Sequence, residues 1–266
     1  MIGGPHIIDE SVYRADPGIN ISLLKELKKS PRKAQHVLAN PRKPSGAQVF
    51  GQAVHTAILE PEKFLDRFME RPEIDRRTKA GKEQYAELEA SGKSILDKED
   101  FEACLVTAEK VKGSGFYNDL LSGGIYESSW FVDRKGIRLK GRLDCYLPDK
   151  NLIVDIKTCE TADERLFLRD IVKWSYHSQA AYYMDLVAHV TGRPVGGFVI
   201  LALEKSEDRD MRAFWLDSEL IARGRRDYLE WLSTWRKCLE TGNFPGYPET
   251  FCYLKCPNYL LEDTEF

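Results

Sequence analysis

The chain has 266 residues, 39 Lys and Arg against 42 Asp and Glu, a net charge of -3, and 42% hydrophobic residues. At ~150 residues per domain it makes one large domain or two small ones, with ample apolar material for a core and nothing of a disordered or collagen-like composition. The longest apolar stretch, Val195 to Leu203, falls far short of the ~20 residues of a membrane span.

The start Met1-Ile2-Gly3-Gly4-Pro5-His6 has neither the basic nor the apolar region of a signal peptide, so a cytoplasmic location without a membrane partner is expected. The scattered cysteines then read as reduced thiols and core filler. The slightly acidic balance leaves room for a basic groove on an acidic body.

In chain order, Leu23, Leu24 and Leu27 recur at helical spacing, and Ser30-Pro31 reads as an N-cap followed by proline at the first helical position. Ser45 opens a helix from Gln48 to Glu60 whose apolar residues share one face, and Pro61 ends it. The charged stretch Glu73 to Glu89 is partly helical at most, and Asp97 starts a helix running to about Lys112. Alternating runs follow from Gly124 to Asp133 and Ile137 to Leu147, joined by Asp133-Arg134-Lys135-Gly136, then a third from Asn151 to Thr158. These predict a β-meander. Helices over Ala162 to Lys173 and Ser175 to Val190, strands Val195 to Glu204 and Met211 to Leu216, and a helix from Asp217 to about Glu240 complete the pattern. The expected organisation is a single α+β domain over 1–266, with a mainly helical region over 1–120, a sheet with helices over 121–217, and a closing helix and tail over 218–266.

The sharpest chemical feature is Leu152-Ile153-Val154-Asp155-Ile156-Lys157-Thr158. Strand side chains alternate between faces, so Asp155 and Lys157 share one and Val154 and Ile156 take the other. One strand earlier, Gly141-Arg142-Leu143-Asp144 brings a second carboxylate towards the first. Two carboxylates beside a lysine suit Mg²⁺, a hard cation that prefers oxygen ligands. A solvated or cross-strand ion pair is the plainer reading of Asp155 and Lys157. His55, one turn beyond Gly51 on an apolar helix, reads by itself more readily as a hydrogen-bonded core histidine than as a ligand, and Gln179 and Tyr183 as half-buried helix filler.

Taken together and in order, Gly51 to His55, Gly141 to Asp144, Asp155 to Thr158 and Gln179 to Tyr183 resemble the RecB-type branch of the PD-(D/E)xK nuclease superfamily. Longer phrases, Gly51 to Phe64, Arg76 to Glu83, Glu127 to Ser129 and Tyr176-His177 with Gln179, resemble RecE-type (exonuclease VIII) nuclease domains. The resemblance covers the region from Tyr13 to about Phe244; the closing tail lies outside it.

The resemblance implies a restriction-endonuclease-like core, a mixed β-sheet flanked by helices with a helical N-terminal region. It implies an Mg²⁺-dependent exodeoxyribonuclease, with Mn²⁺ as a substitute, that degrades linear double-stranded DNA from the 5′ end and leaves 3′ overhangs for strand annealing. His55, Asp144, Asp155 and the Ile156 carbonyl carry over as metal ligands, Lys157 as partner of the attacking water, and Gln179 and Tyr183 as residues lining the substrate strand or bracing the lysine. Glu127 either supports the ligands from behind or is an exposed strand carboxylate. Expected partners are DNA ends, further copies in a ring-shaped homo-oligomer and a RecT-type annealing protein. Arg76, Arg77, Lys79 and Lys82, with Arg32, Lys33, Arg42 and Lys43, are candidates for phosphate contacts. Cys252 and Cys256 lack the earlier cysteine that a RecB-type iron–sulfur cluster needs, so none is expected. The rival functions are a structure- or sequence-specific endonuclease on the same fold and a non-catalytic DNA-binding subunit.

Overall fold

Helix starts are set locally, by side chains that satisfy the N–H groups a first turn leaves open. The computed structural model describes residues 2–41, 43–72, 74 and 77–255, without the side chains at 80, 84, 85, 87 and 89. It begins with β1 (Gly3–His6), α1 (Glu10–Ala15), α2 (Ile21–Leu27) and α3 (Pro31–Ala39). Asn20 caps α2, and Ser30 caps α3 ahead of Pro31 as the sequence predicts. α4 (Gly46–Leu59) opens on a full capping box, because Ser45 accepts from the Gln48 N–H while the Gln48 side chain answers the Ser45 N–H.

α5 (Phe64–Arg67), β2 (Phe68–Glu70), α6 (Lys79–Ala90), β3 (Ser94–Leu96), α7 (Lys98–Gly113) and α8 (Gly115–Leu121) follow. The three-residue strands β2 and β3 pair in parallel, and they are too short for alternation to announce. The Asp97 side chain does not cap the first turn of α7, and its carboxylate pairs with Arg71 instead at 2.7 Å.

The remaining elements are β4 (Ile125–Arg134), β5 (Ile137–Leu147), β6 (Leu152–Cys159), α9 (Glu164–Lys173), α10 (Tyr176–Thr191), β7 (Gly197–Glu204), β8 (Met211–Trp215) and α11 (Ser218–Thr241). Lys135 and Gly136 both have positive φ, 50° and 78°, the requirement of the tight turn that joins β4 to β5. Among the described residues, the main sheet runs β1-β4-β5-β6-β7-β8, and all neighbours are antiparallel except β6 and β7. The expected meander is β4-β5-β6, and α9 and α10 form the crossover that a parallel β6–β7 pair demands. β1 was not expected: Gly3-Gly4-Pro5-His6 has no strand-like composition, and it is a strand because it lies along β4.

The sheet separates two cores, and the strand period sorts side chains between them. Ile153, Phe198, Ile200 and Ala202 face the core built with α2, α9, α10 and α11. Val154, Ile156, Val199, Leu201 and Leu203 face the one built with α4, α7 and α8. The architecture is therefore mixed α/β, a mainly antiparallel sheet between helical layers. No helix among the described residues is long and apolar enough to cross a membrane. After α11 the chain runs back over α3, where Pro245 accepts from the Arg32 N–H at 3.1 Å and Lys33 reaches the Tyr247 hydroxyl at 3.1 Å.

Gly224 lets α11 approach α10: a Cβ there would lie 2.1 Å from the His177 carbonyl oxygen. Backbone cannot yield as a side chain does, so Gly224→Ala is expected to cost about 3 kcal/mol through overpacking. Chemical denaturation should register this as a lowered midpoint with an unchanged slope.

Candidate active site

Among the described residues, β5 and β6 pair at three positions: Cys145 with Val154, Tyr146 with Ile153 and Leu147 with Leu152. Asp144 and Asp155 would form the next pair, and there the strands separate. The Ile156 N–H, freed from the ladder, donates to Asp144 Oδ2 at 2.7 Å. Side-chain alternation also breaks at this level. In β5, Leu143 faces one core and Cys145 the other; in β4, Trp130 and Val132 face the first core while Tyr126 faces the second. Glu127 lies between them with φ at 46°, a left-handed conformation that costs a non-glycine residue roughly 1–2 kcal/mol. Such irregularities re-aim side chains beside functional sites. Here they turn two facing carboxylates out of the regular ladder.

Asp155 is 2% exposed. It forms an ion pair with Lys157 through Oδ2 and accepts from the Gln179 amide through Oδ1 at 2.9 Å. Burial, the largest influence, raises the Asp155 carboxyl above its ordinary range, opposed by the Lys157 charge. For Lys157, burial pulls down, but Asp155, Asp144 and Tyr176 outweigh it and hold the ammonium protonated. Lys157 thus serves as a donor and a fixed positive charge, and its Nζ also reaches the Ile156 carbonyl at 3.3 Å. The far end of Gln179 accepts from Lys25 of α2 at 2.9 Å, which fixes the amide with its NH₂ towards Asp155. Lys25 and Lys157 lie 5.4 and 5.3 Å from the Tyr176 ring centroid. Burial and then the Lys157 charge bring Lys25 down to about 7.

His55 comes from the opposite layer. Its Nδ1 is 3.5 Å from Asp144 Oδ2, and His55, Glu127 and Asp144 each offer a ligand atom within 4.8 Å of the others. Burial followed by the Asp144 charge pushes Glu127 up to about 8. This donor set fits a divalent cation: two carboxylates and an imidazole crowd negative charge that a cation would relieve.

The structure thus brings His55, Asp144, Asp155, Ile156, Lys157 and Gln179 together, but it divides them. Asp155 is engaged by lysine and amide, and Glu127, expected behind the ligands or exposed, stands among the possible ligands. Hairpin register was the available signal, since counting back from Lys135-Gly136 puts Glu127 opposite Asp144. Tyr183 is buried and packs against Gly141, where a Cβ would meet its ring at 3.0 Å, so it props β5 from behind. Lys25 had no local signal, because its partner lies on a distant helix.

Two clefts of about 850 and 580 Å³ meet at Gln52 and His55, the first reaching Lys157 and the second Asp144 and Glu127. Their basic lining comes from residues other than the phosphate-contact candidates. Among the described residues it consists of Arg14, Lys157, Lys173 and Lys205 in one cleft and Arg14, Arg67 and Arg142 in the other. Arg77, Lys79 and Lys82 are exposed and line neither cleft, and on α6 Lys79 lies 4.0 Å from Glu83. Arg76, Arg42 and Cys256 lie outside the described residues.

A strand-borne Asp-x-Lys facing a second acid on the neighbouring strand, in a mixed sheet between helices, defines a domain of the PD-(D/E)xK type. Residues 20–257 match the PDDEXK-like domain of unknown function (DUF3799), and the chain belongs to that family. Among solved structures, it resembles a candidate exonuclease from Eubacterium rectale with a TM-score of 0.67 and 16% identity, over 97% of this chain and 99% of that one. A phage-related exonuclease from Haemophilus somnus 129PT gives a TM-score of 0.34 and 12% identity, over 72% and 95% of the two chains. The first likeness is one of fold alone. None of the curated proteins is similar in sequence.

The raised Glu127 carboxyl gives the metal reading a pH signature. Its folded value of about 8 lies above the ~4.3 of an unfolded glutamate, so its contribution to stability is full below the lower value and lost as pH rises through the upper. A bound cation offsets that loss. Mn²⁺ or Mg²⁺ is expected to raise the thermal midpoint more at about pH 8.5 than at about pH 6, and Glu127→Gln should flatten the difference. Equal metal shifts at both pH values in both proteins would exclude the cluster as a metal site.

Proposed function

We propose that this protein is a divalent-metal-dependent nuclease that digests linear double-stranded DNA from the 5′ end and leaves a 3′ single strand. The observation that carries the reading is the meeting, at one groove, of the His55–Glu127–Asp144 donor set with the Asp155–Lys157 pair. A cation held by those donors would polarise the phosphate and make its bound water more acidic. The chain's own residues supply the rest. Protonated Lys157 orients the attacking water and offsets charge growing on the phosphoryl oxygens, and Asp155 with Gln179 fixes the position of that ammonium. Arg67 and Arg142 on one side and Lys173 and Lys205 on the other hold the flanking phosphates. Mg²⁺ is the proposed ion, with Mn²⁺ a substitute for it.

The 5′ polarity, the ring-shaped oligomer and a RecT-type annealing partner rest on the RecE-type resemblance. The likeness to a candidate exonuclease agrees with attack at ends. A net charge of -3 gives one copy little hold on DNA, which supports an enclosing oligomer that pools basic residues.

With 5′- and 3′-labelled linear duplex and Mg²⁺, loss of the 5′-ended strand is expected, with ligated circles untouched and chelator abolishing the reaction. Asp155→Ala and Lys157→Ala should each lower the rate roughly 100- to 1000-fold, the usual effect of losing one transition-state contact. Nicked circles would instead favour an endonuclease, and near-normal digestion by either variant would remove the site assignment. Light scattering should give a mass several times 30.5 kDa; a monomer would leave the metal site standing and end the ring.

A further inference from the structure

Between α9 and α10 the chain turns sharply through Ser175, a buried non-glycine residue with φ 54° and ψ 45°. Its hydroxyl accepts from Lys28 at 3.3 Å. The turn treats its two aromatic neighbours differently. Tyr176 is half-buried and lines the cleft with its ring flanked by Lys25 and Lys157. Trp174 goes outward and is 51% exposed, although it lines the same cleft as Lys157. The Lys173 ammonium lies 4.8 Å from the Trp174 ring centroid. A half-exposed indole with a cation over one face, in a cleft that also holds Arg14 and Lys205, pairs the two contacts a nucleotide needs: a second π-face for the base and positive charge for the phosphate.

We propose that Trp174 is a stacking platform for an unpaired nucleobase of the strand being cleaved, with Lys173 meeting the phosphate of that nucleotide. The proposal rests on the nuclease reading and narrows it. A base inside a duplex gives its faces to its neighbours, so the substrate must enter as a single-stranded or frayed end. Trp215, 62% exposed on β8, packs over Gly197 and lines neither cleft, which makes it an internal control.

The test uses the full chain in chelator, so that nothing is cut, with short single-stranded oligonucleotides carrying terminal 2-aminopurine and the matching blunt duplex. Single strand is expected to quench tryptophan emission in the wild type and in Trp215→Phe, while duplex of the same sequence quenches far less. Trp174→Ala should bind single strand about tenfold more weakly, the loss of one base stack, and Trp174→Phe should keep most of the affinity. Unchanged affinity in Trp174→Ala, or equal quenching by duplex, overturns the platform and leaves the nuclease reading intact. A wild-type chain that binds neither nucleic acid overturns the platform, and the nuclease reading then stands or falls on the digestion of labelled duplex with Mg²⁺.

Discussion

A carboxylate removed from water must be paired, hydrogen-bonded or neutral, and this fold has three of them within one small region. Each meets the requirement differently. Asp155 takes a lysine and an amide, Asp144 takes a backbone N–H and a histidine, and Glu127 holds its proton up to about 8. The second of these solutions depends on the separation of β5 and β6, because an N–H committed to the ladder cannot serve a side chain. The irregular strands and the acid cluster are therefore one arrangement.

The same separation explains why residues from both helical layers reach one place. His55 stands on α4, which packs against one face of the sheet, while Gln179, Tyr176 and Lys25 belong to helices against the other. An intact ladder would keep these groups on opposite sides of the sheet. Where the strands diverge, the sheet ceases to be a wall, and Gly141 admits Tyr183 and Leu186 close behind the opening. Lys25 is held by the same packing, and its lowered affinity for a proton records first its burial and then the nearness of a second ammonium group.

What could be read from the sequence was whatever short-range chemistry decides. The shared face of Asp155 and Lys157 followed from the strand period, the start of α4 from Ser45 and Gln48, and the order of the motifs carried the class of fold. What escaped depends on distant packing or on broken periodicity. Lys25 sits among Leu24, Glu26 and Lys28 like any lysine of an amphipathic helix, and it is enclosed only because α10 lies across it. Glu127 lies where alternation fails, so the rule that placed its neighbours could not place it. Lys79 and Lys82 of α6 stand exposed outside both clefts, and the basic residues that line the clefts are dispersed through the chain.

The short ladder between β5 and β6 acts as a spacer. One more pair of backbone bonds would bring Asp144 and Asp155 into direct cross-strand register, with Cα atoms about 5 Å apart, and would reclaim the N–H that Asp144 now uses. One pair fewer would release Cys145 and Val154, which are buried in the core beside α4. The dimension of the site is thus encoded by where a strand pairing stops, a property carried by no single residue.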